Sequence, residues 1–186
     1  MAKLIGLSGS LRRGSFNTAL LRAAAGLVPD GSTLAVRTVH GVPLYDGDAE
    51  AAEGVPPAVA DLKEVIAAAD GLLLATPEYN HSVPGVLKNA IDWLSRPPAD
   101  IKRVFGGKSV AVLGASPGGF GTILAQDAWL PVFRILGARL WTGGRLLVAR
   151  AGDVFDPAGA IADETVREHL RRFVHGFAAF AGGAAA

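Results

Sequence analysis

Residues 75–96 read Ala75-Thr76-Pro77-Glu78-Tyr79-Asn80-His81-Ser82-Val83-Pro84-Gly85-Val86-Leu87-Lys88-Asn89-Ala90-Ile91-Asp92-Trp93-Leu94-Ser95-Arg96, and they decide the fold class. They follow the apolar run Gly71-Leu72-Leu73-Leu74-Ala75. Such a run is the pattern of a parallel strand buried on both faces. A polar turn, Pro77–Asn80, comes next, and a helix is predicted from Pro84 to Ser95. Ser82 has the chemistry of an N-cap, and Pro84 suits a first turn, where its missing N–H costs nothing. Val86, Leu87, Ala90, Ile91 and Leu94 recur on one helical face, and Pro97-Pro98 stops the run. A buried strand, a polar turn and a capped helix form a loop at the carboxyl edge of an α/β sheet. Ligands bind at that edge.

Outward from this stretch, strand and helix alternate. Strands are predicted at Lys3–Leu7, Thr33–Val39, Leu72–Ala75 and Ser109–Leu113. A fifth, Arg139–Trp141 with Leu146–Ala149, is interrupted by Gly143-Gly144. Helices are predicted from Ser15, over Pro57–Ala69, Pro84–Ser95, Thr122–Leu136 and Ile161–Phe180, with Pro131 kinking the fourth. Asp61, Lys63 and Glu64 on the second helix read as a solvated face. Five strands with intervening helices imply a parallel sheet covered on both sides. Residues 1–181 are expected to form one domain, and 182–186 a frayed tail.

Bulk properties narrow the function. The chain has 186 residues, with 18 basic and 17 acidic side chains and a formal charge of +1, so no overall field draws it to nucleic acid or anionic lipid. It contains no cysteine, which excludes disulfides, thiolate catalysis and cysteine-held metal clusters. Redox chemistry would therefore need a bound cofactor. No apolar stretch approaches the roughly 20 residues of a membrane span. Met1–Leu7 leads into a strand without the apolar core of a signal peptide, so a cytoplasmic protein is expected. His40, His169 and His175 show no metal spacing, and no metal is expected.

Three polar loops carry the chemistry. The first, Ser8–Asn17, lacks a Walker lysine and the three spaced glycines of a dinucleotide fingerprint. It offers hydroxyls, an amide, main-chain N–H groups and a helix N-terminus behind Ser15, a set suited to a phosphate dianion. Arg12 adds a charge-assisted donor. Without a ligand, Ser15 is an N-cap only and the arginines are solvated. The second loop is Pro77–His81. The third, Gly114–Thr122, is glycine-rich, and either brings backbone close to a ligand or is a bare turn.

Pro77-Glu78-Tyr79-Asn80, with Ser82, Pro84-Gly85 and Leu87–Trp93 behind it, resembles the signature of the NAD(P)H-dependent FMN reductases, nearest their quinone and chromate reductase branch. Gly9-Ser10-Leu11-Arg12 with Ser15 and Asn17 is similar to that family's phosphate loop. The resemblance implies a flavodoxin-like three-layer α/β/α sandwich with five parallel strands in the order 2-1-3-4-5. In that order the loops after strands one, three and four share one edge. It further implies non-covalent FMN, with the phosphate on Ser10, Arg12, Ser15 and Asn17 and with Phe16 in the same loop. Pro77, Glu78, Tyr79 and Asn80 would then wall the flavin ring, and Ser116, Gly118 and Gly119 would meet its pyrimidine edge. His81 is expected to face solvent. The Pro43–Asp48 segment resembles a family segment too, but is expected to be a plain turn, with a pocket rim or subunit contact as the alternatives.

The activity implied is hydride transfer from NADPH or NADH to FMN N5. Electrons then pass to a small-molecule acceptor: a quinone, chromate, an azo or nitro compound, or free flavin. No catalytic side chain is required, because the flavin carries the chemistry. The family's habit implies a homodimer or homotetramer. An electron carrier of flavodoxin type, or a flavin-binding sensor without NAD(P)H turnover, is the alternative. The near-neutral charge and the Ser/Arg phosphate loop both count against a flavodoxin.

Overall fold

A computed structural model describes residues 1–183. The strands are β1 (Lys3–Ser8), β2 (Thr33–Thr38), β3 (Gly71–Ala75), β4 (Ser109–Ala115), β5 (Arg139–Leu140) and β6 (Leu147–Val148). They form a parallel sheet in the order β2-β1-β3-β4-β5, with β6 also paired to β4. β5 lies beside Ser109-Val110 and β6 beside Gly114-Ala115, so the interrupted fifth strand is one path along β4 broken by residues 141–146. The flavodoxin-like topology is the expected one.

Eight α-helices and a short 3₁₀ helix (Pro98–Asp100) complete the described chain: α1 (Phe16–Ala25), α2 (Gly47–Glu53), α3 (Pro57–Ala67), α4 (Gly85–Leu94), α5 (Ile101–Val104), α6 (Ile123–Ile135), α7 (Ala151–Val154) and α8 (Glu164–Gly182). Side chains of a strand alternate between the two faces, so β3 feeds two cores. Leu73 and Ala75 join Leu20 and Leu21 of α1 and Phe173 and Phe177 of α8 on one side. Leu72 and Leu74 join Ile66 of α3, Leu87 and Ile91 of α4, and Trp129 of α6 on the other. Every residue of β3 is buried, which is why its run is apolar without alternation.

Several local expectations are corrected. Ser82 does not cap α4: the N-cap is Pro84, without a side-chain bond. Ser82 instead closes a two-residue hairpin with Tyr79, whose N–H and C=O it meets at 3.1 and 3.0 Å. Asn80 and His81 turn that hairpin with φ of 50° and 61°, the left-handed conformation a tight hairpin loop needs. The last helix starts at Glu164, three residues later than predicted; Asp163 caps it through Val166 N–H, while Ile161 pairs with Phe155. It continues to Gly182; of the expected tail, residues 184–186 lie outside the described residues.

Lys63 is not solvated. It is 2% exposed, and its Nζ donates to the Arg96 carbonyl and to Asp100 Oδ2 at 2.9 Å. Its partners come from a loop more than thirty residues later, which local sequence does not announce. The Pro43–Asp48 segment is not a plain turn. Asn89 of α4 donates to the Pro43 carbonyl and accepts from Tyr45 N–H, both at 2.8 Å, and Trp93 Nε1 donates to the same carbonyl at 2.9 Å. The segment then enters α2, which Asp46 caps. α6 runs through Pro131 without ending there.

Candidate functional site

The loops after β1, β3 and β4 meet at the carboxyl edge of the sheet and enclose a narrow cleft. Its walls are Ser10, Arg12, Ser15, Phe16 and Asn17 from the first loop, Pro77, Glu78 and Tyr79 from the second, and Ala115, Ser116 and Pro117 from the third. The loops can approach because two glycines lack side chains. A Cβ on Gly9 would collide with Leu87 and meet Pro77; one on Gly114 would collide with the Thr76 carbonyl and Thr122 Oγ1.

The first loop presents donors. Ser15 caps α1 by accepting from Thr18 N–H at 3.2 Å, which leaves its hydroxyl proton free. Ser10 Oγ accepts from Arg12 N–H at 3.3 Å and keeps its proton as well. The N–H groups of Phe16 and Asn17, first in α1, have no acceptor among the described residues. Arg12 is exposed at the mouth and pairs with no carboxylate among the described residues.

The cleft is pinned rather than merely lined. Asn17, 4% exposed, donates Nδ2 to the Ala115 carbonyl at 2.8 Å and accepts from Ala115 N–H at 2.9 Å, which ties the first loop to the third. One amide hydrogen remains for a ligand. Glu78 ties the second loop to α6: its Oε2 accepts from Leu124 N–H at 2.9 Å and Ala125 N–H at 3.0 Å. Those are early N–H groups of α6, where a carboxylate also meets the helix dipole favourably. Thr76 Oγ1 accepts from Trp129 Nε1 at 3.0 Å and donates to the Pro77 carbonyl at 2.8 Å.

Tyr79 stands at the rim, 46% exposed, and His81 is in solvent beyond it. Asn80, Gly118 and Gly119 are not among the cleft walls. Asn80 is spent on the hairpin turn. Gly118 N–H bonds back to Ser116 Oγ at 3.1 Å and its carbonyl accepts from Arg150 N–H, which folds that part of the third loop on itself. Sequence reasoning missed Ala115 and Pro117 as walls, and the pinning roles of Asn17 and Glu78.

The donor set fits a phosphorylated, flat ligand: open helix N–H groups, two hydroxyls and a guanidinium at one end, with main chain and an aromatic rim at the other. Among the described residues, no group of three or more histidine, aspartate and glutamate side chains is placed to hold a metal ion, and no helix is long and apolar enough to cross a membrane.

Comparison with known proteins agrees with this geometry. A family model described as NADPH-dependent FMN reductase matches residues 2–153. The chain is 46% identical over 170 residues to an NAD(P)H-dependent FMN reductase of Pseudomonas aeruginosa, covering 91% of this chain and 90% of that one. It is 39% identical over 178 residues to a 2-hydroxy-1,4-benzoquinone reductase of a Burkholderia species, covering 96% and 95%. Among solved structures it is similar to FerB, a flavoenzyme NAD(P)H:(acceptor) oxidoreductase of Paracoccus denitrificans, with a TM-score of 0.86, 30% identity and 98% of each chain covered. A match over most of the chain, on a cleft with this donor set, identifies the protein by descent: it belongs to the NADPH-dependent FMN reductase family.

Proposed function

We propose that the cleft holds FMN without a covalent bond and that the protein oxidises NADPH or NADH and reduces quinones, with chromate, azo or nitro compounds and free flavin as further acceptors. The observation that carries this reading is the open N-terminus of α1, with Ser10, Arg12 and Ser15 around it, in a chain of this family. A phosphate dianion there meets N–H groups that have no protein acceptor, at the positive end of the helix dipole. Held there by Ser10, Arg12, Ser15 and Asn17, FMN would supply the redox chemistry, hydride acceptance at N5 and return of electrons to the acceptor.

The chain's own residues do the holding. Arg12, Ser10, Ser15 and the remaining amide hydrogen of Asn17 neutralise and orient the phosphate. Pro77, Glu78 and Tyr79 offer main chain and an aromatic rim to the ring, and Ser116 a hydroxyl to its polar edge. The pins through Asn17 and Glu78 keep these groups placed before the ligand arrives, so little ordering entropy is lost on binding. No side chain needs to act as acid or base. The exposure of Tyr79 leaves the mouth open to acceptors of varied shape. The cytoplasmic location and the homodimer or homotetramer belong to this proposal as well.

The test is anaerobic addition of NADPH to FMN-saturated protein while flavin absorbance is followed. Rapid bleaching, restored by a quinone, supports the reading. Flavin that is retained but not bleached by NADPH or NADH points to the electron carrier or sensor, and protein that retains no flavin overturns the site.

A further inference from the structure

We propose that a groove running from the phosphate end of the cleft along the outer side of α1 receives the phosphorylated adenosine half of a dinucleotide. This rests on reading the cleft as the FMN site. Two hollows lie beyond the cleft. The first, about 540 Å³, shares Ser15 and Phe16 with it as walls. The second, about 380 Å³, shares Arg22 and Gly159 with the first. Together they follow α1 from its N-terminus to its last turn, under the loop that joins α7 to α8. Each falls within the roughly 300–1,000 Å³ typical of small-molecule sites.

The groove is strongly cationic and its charges are unspent. Arg13, Arg22 and Arg167 line it, continuing from Arg12 in the cleft, and none of the four lies against a carboxylate among the described residues. Elsewhere Arg96, Arg103 and Arg171 each do. The acidic wall residue, Asp156, is turned to its own loop, where Oδ1 accepts from Ala160 N–H at 2.8 Å. Beside the arginines, Phe16 stacks on the buried Phe155 with ring centroids 5.6 Å apart and planes at 28°, so the apolar wall of the hollow is chiefly the part-buried Phe16 ring.

Arginines that border one groove without carboxylate partners suit phosphate oxygens, which guanidinium groups bind as planar forks. A flat apolar surface beside them suits a base. A ligand that combines several negative charges with an aromatic ring, and begins at an FMN phosphate site, is a phosphorylated adenosine. Two dinucleotides carry one: NADPH, through its 2′-phosphate and pyrophosphate, and FAD, whose pyrophosphate extends outward from the FMN phosphate position.

The probe is adenosine 2′,5′-bisphosphate, titrated calorimetrically into FMN-saturated protein, with FMN content measured in parallel. The wild type should bind it, and Arg22→Glu combined with Arg167→Glu should weaken binding at least tenfold while FMN is retained. Arg22→Gln with Arg167→Gln should show a smaller loss in the same direction, which separates lost attraction from introduced repulsion. Two further arms separate the sources. A rise in KM for NADPH relative to that for NADH in the Glu variant supports NADPH as the ligand. Tighter binding of FAD than of FMN by FMN-free wild type, abolished in the variant, supports FAD. Wild type that retains FMN but does not bind the probe overturns the groove alone, as does a variant that binds it as well as wild type. Wild type that binds no FMN overturns the cleft and the groove together.

Discussion

Replacing Asn17 by alanine should destabilise the protein before any cofactor is added. The Asn17 amide satisfies both main-chain groups of Ala115, at 2.8 and 2.9 Å, and both residues are buried, 4% and 3% exposed. Truncation leaves a buried N–H and a buried C=O unpaired, each worth about 1–3 kcal/mol. Allowing for relaxation, the expected loss is about 2–4 kcal/mol. For a chain of this size that corresponds to a fall in melting temperature of roughly 5–15 °C. Asn17→Asp is the sharper variant: a carboxylate still accepts from Ala115 N–H but faces the Ala115 carbonyl with a second acceptor. It should lose at least about 1.5 kcal/mol while keeping side-chain volume. The assay is thermal and urea unfolding of FMN-free protein. If Asn17 served the phosphate only, the FMN-free variants would unfold like wild type and only FMN affinity would drop. Unfolding within about 0.5 kcal/mol of wild type would refute the pin.

Three other outcomes are expected. Arg12→Ala should weaken FMN binding about ten- to a hundredfold, the loss of one charge-assisted bond to phosphate, and unchanged affinity in a fluorescence titration would remove Arg12 from the site. Glu78→Gln should cost about 1 kcal/mol of stability and speed hydrogen exchange at the Leu124 and Ala125 amides; unaltered protection there would break the assignment of Glu78 to α6. Asp100 is held below the usual carboxylate range by its hydrogen bond from Lys63 and then by Arg103. A lowered folded-state pKa stabilises above the ordinary value of about 4 and is lost as pH falls through the folded value. Asp100→Asn should therefore be less stable than wild type near neutrality, with the gap closing as the pH falls below the ordinary aspartate value of about 4; a gap independent of pH would contradict the pairing.

What could be read from sequence was what short range determines. The β3 run, the apolar face of α4 and the Ser15 cap depend on neighbours a few residues away, and each is where it was expected. The strand order came with the family resemblance of two loop motifs, and it brings the three polar loops to one edge. The pins were not legible in this way, because their partners lie far along the chain: Asn17 with Ala115, Glu78 with Leu124 and Ala125, Asn89 with Pro43 and Tyr45. One of the misses left a signal. Lys63 lies four residues after Val59 and three before Ile66, which puts it on the apolar stripe of α3 rather than the solvated face. A lysine in that register must find buried acceptors, and Asp100 with the Arg96 carbonyl are those acceptors.

The same pins explain why an anion should settle at one helix and not another. α1, α4 and α6 follow the carboxyl ends of β1, β3 and β4, and the first turn of each presents N–H groups and the positive end of its dipole. At α6 the protein supplies its own anion, since Glu78 takes Leu124 and Ala125 N–H. α4 begins past the Tyr79–Ser82 hairpin, and none of its residues lines the cleft. Among the described residues, only α1 opens into the cleft with free N–H groups, and its cap, Ser15, is neutral. Glu78 thus does two things with one carboxylate. It fixes the second loop, and it keeps a negative charge off the phosphate end by committing it to α6. Removing that carboxylate would leave a second cationic helix end a short way along the same edge. On the proposed reading, selectivity for where the phosphate would sit comes as much from filling α6 as from leaving α1 open.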